Sequence, residues 1–141
     1  MQDDVQSQKR LRVVCALLER NGRLFTVQRG NDMRHPLQWE FPGGKTLDGE
    51  SDEGALRREL REELAIEVDV LAHDSAVRHD YPDLQIELAP IWCRIRSGTV
   101  TLREHAATAW VTPAEAAGMN LLPADRAILD QIARRPQRAR L

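Results

Sequence analysis

Three glutamates, Glu59, Glu62 and Glu63, stand close together in a segment whose leucines Leu56, Leu60 and Leu64 recur every four positions. That period is helical, and at about 100° per residue the three carboxylates fall within an arc of roughly 100°. Glu59 and Glu63 form an i,i+4 like-charge pair, which costs an isolated helix about 0.2 to 0.5 kcal/mol, and Glu62 adds to the repulsion. A hard cation reverses that sign. Mg²⁺ takes oxygen ligands in octahedral geometry, keeps several waters, and is held by one or two carboxylates together with substrate phosphates. Arg57, Arg58 and Arg61 lie on the same segment, so the glutamates also read as a charged, solvated face answered by ion pairs.

The elements around this segment must present it. A helix over residues 51–64 is expected, with Ser51 as its cap and Asp52 and Glu53 at its positive end. Gly54 inside it costs about 1 kcal/mol relative to Ala. Upstream, residues 11–19 and 23–29 read as a β-hairpin around an Asn21-Gly22 turn. Residues 30–37 form a polar loop, and residues 38–41 a short extended piece closed by a turn at Pro42-Gly43-Gly44. Downstream, strands are expected over residues 66–71, 76–79, 84–95 and 109–111, with turns at Pro82-Asp83 and Ser97-Gly98. A second helix fits residues 124–134, with Leu122, Ile128, Leu129 and Ile132 to one side. Strands interrupted by two helices give a layered α/β (α+β) domain.

Composition bounds the function. At 141 residues, 42% hydrophobic and 30% charged, the sequence reads as one globular domain over residues 1–141, with an ordered core of about 11–134 and a frayed basic tail, RRPQRARL. The longest apolar run, residues 13–18, is far below the roughly 18 residues of a membrane span. The opening MQDDVQSQKR lacks the apolar core of a secretory signal, so a cytoplasmic location is expected. A net charge of −2 offers no field for a nucleic-acid polymer. Cys15 and Cys93 sit in apolar runs without metal-ligand spacing and read as reduced core residues. His35, His73, His79 and His105 share no ligand spacing and read as structural or exposed, while Trp39, Trp92 and Trp110 read as core.

The stretch GKTLDGESDEGALRRELREELAI resembles the signature of the Nudix hydrolases, with Gly44, Glu50, Arg58, Glu59, Leu60, Glu62, Glu63 and Ile66 in register. Six fixed residue types coincide by chance at one register about once in 10⁷. The departure is Ala65, where the family usually has Gly; it bears on the exit from the helix rather than on the carboxylates. WEFPGGK, the Tyr81-Pro82-Asp83 turn and Leu-Pro-Ala-Asp near the C-terminus are similar to the MutT-type branch.

The resemblance implies a Nudix fold, a mixed sheet between helices with the signature as a loop–helix–loop unit. It also implies Mg²⁺-dependent hydrolysis of a nucleoside triphosphate to a monophosphate and pyrophosphate, with Mn²⁺ as a substitute cation. Glu59, Glu62 and Glu63 are then the metal ligands, joined by the Gly43-Gly44 backbone. Arg58 holds the glutamates and Glu50 braces the loop. The general base falls among Glu59, Glu62 and Glu104, the last in a loop where MutT-type enzymes carry a catalytic carboxylate. Arg29 and Lys45 are expected phosphate partners, Arg as a fork and Lys as a point charge, and Tyr81 borders the base. The expected partner is a small nucleotide, with the chain acting as a monomer or homodimer.

Asp125 bears on the base. An ionised Asp only accepts hydrogen bonds, which suits the cytosine N4 amine; 8-oxoguanine O6 is rejected unless Asp125 faces ring N–H groups or carries a proton. Asp125 reads equally well as an N-cap of the last helix. The expected role is nucleotide-pool sanitation with 8-oxo-dGTP, CTP or 5-methyl-dCTP as substrate. Hydrolysis of ADP-ribose or dinucleoside polyphosphates, or a non-catalytic nucleotide-binding module, are the competing readings.

Overall fold

The computed structural model describes residues 9–134; the basic tail expected to fray lies largely outside them. Eight strands run in chain order as β1 (Lys9–Arg20), β2 (Arg23–Gln28), β3 (Trp39–Glu40), β4 (Gly43–Lys45), β5 (Glu67–His73), β6 (Val77–Tyr81), β7 (Leu84–Ser97) and β8 (Ala107–Val111). Three helices accompany them: α1 (Asp52–Leu64), α2 (Pro113–Ala117) and α3 (Pro123–Ala133). Among the described residues no helix is long and apolar enough to cross a membrane.

The expected hairpin is present, pairing Glu19 with Leu24 and Arg20 with Arg23. Asn21 and Gly22 both take positive φ, 54° and 77°, the conformation that a two-residue turn needs to match strand twist. Strand β1 is the spine. It runs parallel to β7 from Lys9↔Leu84 to Leu18↔Cys93, while β7 pairs antiparallel with β5 and β6. The far end of β1 hands over to β2, which pairs with β3 and β8. The mixed sheet is therefore continuous through β1.

Side-chain alternation along β1 separates two cores. Val14, Ala16 and Leu18 point to the face where α1 packs with Leu56, Leu60 and Leu64. Cys15 and Leu17 point to the opposite face, where α3 brings Ile128, Leu129 and Ile132. A strand covered on both faces reads as an unbroken apolar run, as residues 13–18 do. Burying one such Leu or Ile contributes about 1.5 to 3 kcal/mol. Both cysteines are buried and reduced, as expected.

Two elements differ from the sequence-based expectation. Gly43-Gly44 is no mere turn: β4 pairs antiparallel with β1, setting Cys15↔Gly43 and Val14↔Gly44. The two backbones approach so closely that a Cβ on Gly43 would overlap the Val14 carbonyl. The second difference is α2, too short to show periodicity, although Thr112 and Glu115 form a reciprocal capping box around a Pro at its first turn.

Helix α1 starts where expected, with the Ser51 hydroxyl accepting from the Gly54 N–H at 3.0 Å. It ends on Ala65 at φ 60°, ψ 37°, a left-handed conformation that favours Gly. We expect Ala65→Gly to stabilise the protein by about 1 kcal/mol, relief of the Cβ clash outweighing the added entropy of the unfolded chain. In thermal melts that is a rise of about 3 °C; an unchanged or lower melting temperature would show that no strain resides there.

Candidate active site

The loop before α1 and the helix itself are bound together by Arg58. Its Nε and one terminal nitrogen grip both oxygens of Glu50, at 2.8 and 3.0 Å. The other terminal nitrogen donates to Glu59 at 3.1 Å and Glu62 at 3.3 Å, and the Lys45 carbonyl accepts at 3.0 Å. Glu50 also accepts the Leu47 N–H at 2.9 Å. Arg58 and then Leu47 hold the Glu50 carboxyl below its ordinary range. Such charge-assisted forks fix orientation as well as charge.

Glu59 lies across β4. A Cβ on Gly44 would overlap the Glu59 carboxylate, so only Gly permits this approach. Burial pushes the Glu59 carboxyl up, and Arg58 only partly offsets it. Glu63, one turn on, is raised to about 7, first by desolvation and further by the charges of Glu59, Glu104 and Glu40, against which His105 pulls it down. Glu62 is exposed on the far side of Arg58.

Glu59 and Glu63 open onto a cavity of about 530 Å³ together with Gly43, Gly44 and Lys45, a size typical of small-molecule sites. Val13, Leu84, Ile86 and Leu88 give it an apolar wall. Tyr81 lines it too, its ring 4.4 Å from that of His79 and 5.3 Å from that of His35, and burial pushes its hydroxyl up. Asp125 faces the same cavity although it is 5% exposed. Its Oδ2 accepts the Phe41 N–H at 2.9 Å; burial, and next the charge of Glu40, push its carboxyl well above the ordinary range. It does not cap α3: Leu122 holds the N-cap position without a side-chain bond, and Asp125 lies within the first turn.

The remaining expected site residues are placed differently from one another. Lys45 is exposed where it meets the cavity. Arg29 lines the cavity, but its guanidinium is engaged, one nitrogen reaching both Glu40 oxygens at 3.1 Å and Nε bonding the Arg34 carbonyl. Glu104 is exposed and outside the cavity wall, acting on Glu63 through its charge. Sequence reasoning missed Glu40 and His105. His105 is buried, lines the cavity, and meets Glu40 at 3.2 Å. At 65 positions apart in sequence, the pair is revealed only by the fold.

Among the described residues no group of three or more His, Cys, Asp or Glu side chains is gathered to hold a metal as it stands. The donors nonetheless fit a hard divalent cation. Glu59 and Glu63 are carboxylates whose negative charge is poorly compensated, and they face a cavity beside the close backbone of Gly43-Gly44.

Known proteins resemble this chain in sequence and fold. The NUDIX domain model matches residues 8–134. A CTP pyrophosphohydrolase of Escherichia coli (strain K12) is 37% identical over 122 residues, spanning 86% of this chain and 90% of that protein. An 8-oxo-dGTP diphosphatase of Proteus vulgaris is 36% identical over 86 residues, 60% of this chain and 77% of that protein. The solution structure of the E. coli ORF135 protein superposes with a TM-score of 0.78 at 36% identity, covering 94% of this chain and 97% of that one. The chain therefore belongs to the NUDIX domain family and is a Nudix hydrolase, of a kind that generally uses divalent metal ions.

A carboxyl raised on folding stabilises the protein below its unfolded value and loses that contribution as pH rises through its folded value. For Glu63 the window runs from about 4.5 to about 7. In metal-free buffer we expect Glu63→Gln to match the parent at pH 4 and exceed it by about 1 kcal/mol at pH 8, partial solvent access damping the effect. Saturating divalent cation should reverse the order at pH 8. Melting curves at the two pH values check this, and a difference already present at pH 4 would remove the ionisation argument.

Proposed function

We propose that this Nudix hydrolase is a Mg²⁺-dependent nucleoside triphosphate pyrophosphohydrolase, releasing a nucleoside monophosphate and pyrophosphate, with a role in nucleotide-pool sanitation. The observation that carries this reading is one cavity holding both the Glu59 and Glu63 carboxylates of α1 and the buried carboxyl of Asp125. Phosphate chemistry and base recognition can then act on one small molecule. Hydrolysis of ADP-ribose or dinucleoside polyphosphates is disfavoured because it would leave the MutT-like features outside the signature segment idle.

Glu59, Glu62 and Glu63 with the Gly43-Gly44 backbone would hold the cation. When bound, it supplies neutralisation of the pyrophosphate charge and a water of lowered pKa. Arg58 and Glu50 hold the loop and two of the carboxylates in place. Glu59 faces the cavity and burial pushes its carboxyl up; in this reading it is the general base that takes the proton of the attacking water. Glu104 is exposed and outside the cavity wall and supports the site through its charge. Lys45 meets the phosphate chain as a point charge.

Asp125 sets the base. As a carboxylate it accepts from the N4 amine of cytosine, which favours CTP or 5-methyl-dCTP and agrees with the relative named a CTP pyrophosphohydrolase. Its raised carboxyl supports a second reading, since a protonated Asp125 would donate to the O6 of 8-oxo-dGTP.

Pyrophosphate release from CTP, dCTP, 5-methyl-dCTP and 8-oxo-dGTP, beside AMP release from ADP-ribose, each with and without Mg²⁺, tests the proposal. We expect Mg²⁺-dependent pyrophosphate from a triphosphate, loss of at least 100-fold in Glu63→Gln, and an Asp125→Asn variant at least tenfold poorer on cytosine nucleotides. Turnover of ADP-ribose alone would overturn it, as would nucleotide binding without turnover.

A further inference from the structure

His105 is more than a packed side chain. Its ring is 3% exposed, although it belongs to a loop whose neighbours Glu104 and Ala106 are exposed. Nε2 is anchored at 3.2 Å on Glu40, whose two oxygens are also gripped at 3.1 Å by Arg29. Arg29, Glu40 and His105 thus form a chain of side chains 18%, 16% and 3% exposed, running along the cavity wall. At the end of the chain Nδ1 is buried and has no hydrogen-bond partner among the described residues. An orphaned ring nitrogen in a buried polar network carries a desolvation cost, so a partner is expected in the working state.

The cavity supplies one candidate. Arg58 serves Glu59 and Glu62, but Glu63 has no ion pair among the described residues. His105 and Glu63 line the same cavity. A carboxylate can only accept, so Nε2 carries a hydrogen toward Glu40, and a second on Nδ1 would serve another carboxylate.

We propose that His105 is a positioning residue that orients the Glu63 carboxylate through Nδ1, with Glu40 and Arg29 fixing the ring from behind. Glu63 is thereby aimed by a separate network from the one that aims Glu59 and Glu62. The inference rests on the assignment of Glu63 as a ligand of the divalent cation. Partners that orient a metal ligand change affinity by about 10- to 100-fold when removed.

Two substitutions separate the ends of the ring. His105→Gln keeps an amide near the Nε2 position, and with it the Glu40 bond, but loses Nδ1. His105→Asn keeps an amide near Nδ1 and loses Glu40. Mn²⁺ affinity is measured by the electron paramagnetic resonance signal of the unbound ion, for the parent, both variants, Glu63→Gln and the Glu63→Gln/His105→Gln double variant, with melting curves of each metal-free protein. We expect His105→Gln to melt within about 3 °C of the parent yet bind Mn²⁺ at least tenfold more weakly, His105→Asn to recover part of that affinity at lower stability, and His105→Gln to cost nothing more once Glu63 is Gln. Parent-like Mn²⁺ affinity in His105→Gln would overturn the proposal, as would an equal loss in the Glu63→Gln background. Parent-like affinity in Glu63→Gln would instead overturn the ligand assignment, a result visible whatever His105→Gln does.

Discussion

One guanidinium holds the signature segment in its working shape. Arg58 meets Glu50, Glu59, Glu62 and the Lys45 carbonyl, groups drawn from β4, the loop before α1 and α1 itself. Like charges on a helix face repel, and without a cation this single side chain supplies most of the local compensation. The loop is consequently tied to the helix by charge as much as by packing. Glu63 lies outside that grip, which is why desolvation dominates its ionisation.

The scaffold makes a complementary demand on backbone. Strand β4 must lie against β1 closely enough for the Val14 carbonyl to occupy the space of a Gly43 side chain, while the Glu59 carboxylate fills that of Gly44. Sheet pairing on one side and helix placement on the other therefore converge on two adjacent glycines. The two cores set up by the alternation along β1 keep α1 and the sheet rigidly related, so the carboxylates meet the strand at a fixed height.

Much of this was legible in the sequence because the determinants are local. The hairpin follows from Asn21-Gly22, the extent of α1 from Ser51 and the leucine period, and the family from the spacing of Gly44, Glu50, Arg58 and the glutamates. The left-handed turn at Ala65 was visible as a departure from pattern. What escaped depends on contacts between distant segments. Gly43-Gly44 resembles a turn until β1 is laid beside it, and α2 is too short for its period to register. Asp125 read as a base-recognising residue with a helix cap as the alternative, and the cap is ruled out because Oδ2 accepts from Phe41, 84 positions away. The pairing of His105 with Glu40 has no signature in spacing at all, and Arg29, expected as a phosphate fork, is engaged by the same Glu40.

The two buried thiols carry a consequence of their own. Burial, then the charge of Asp125, pushes Cys15 well above its ordinary range, and burial raises Cys93 to about 12. Alkylating reagents and peroxide attack the thiolate, and at neutral pH a thiol near 12 is ionised in only about one molecule in 10⁵. Cys15 packs on the α3 face of the sheet and Cys93 on the α1 face. The folded molecule is thus chemically silent toward such reagents until a core opens, and the rate at which each thiol is labelled becomes a separate clock for the opening of each layer.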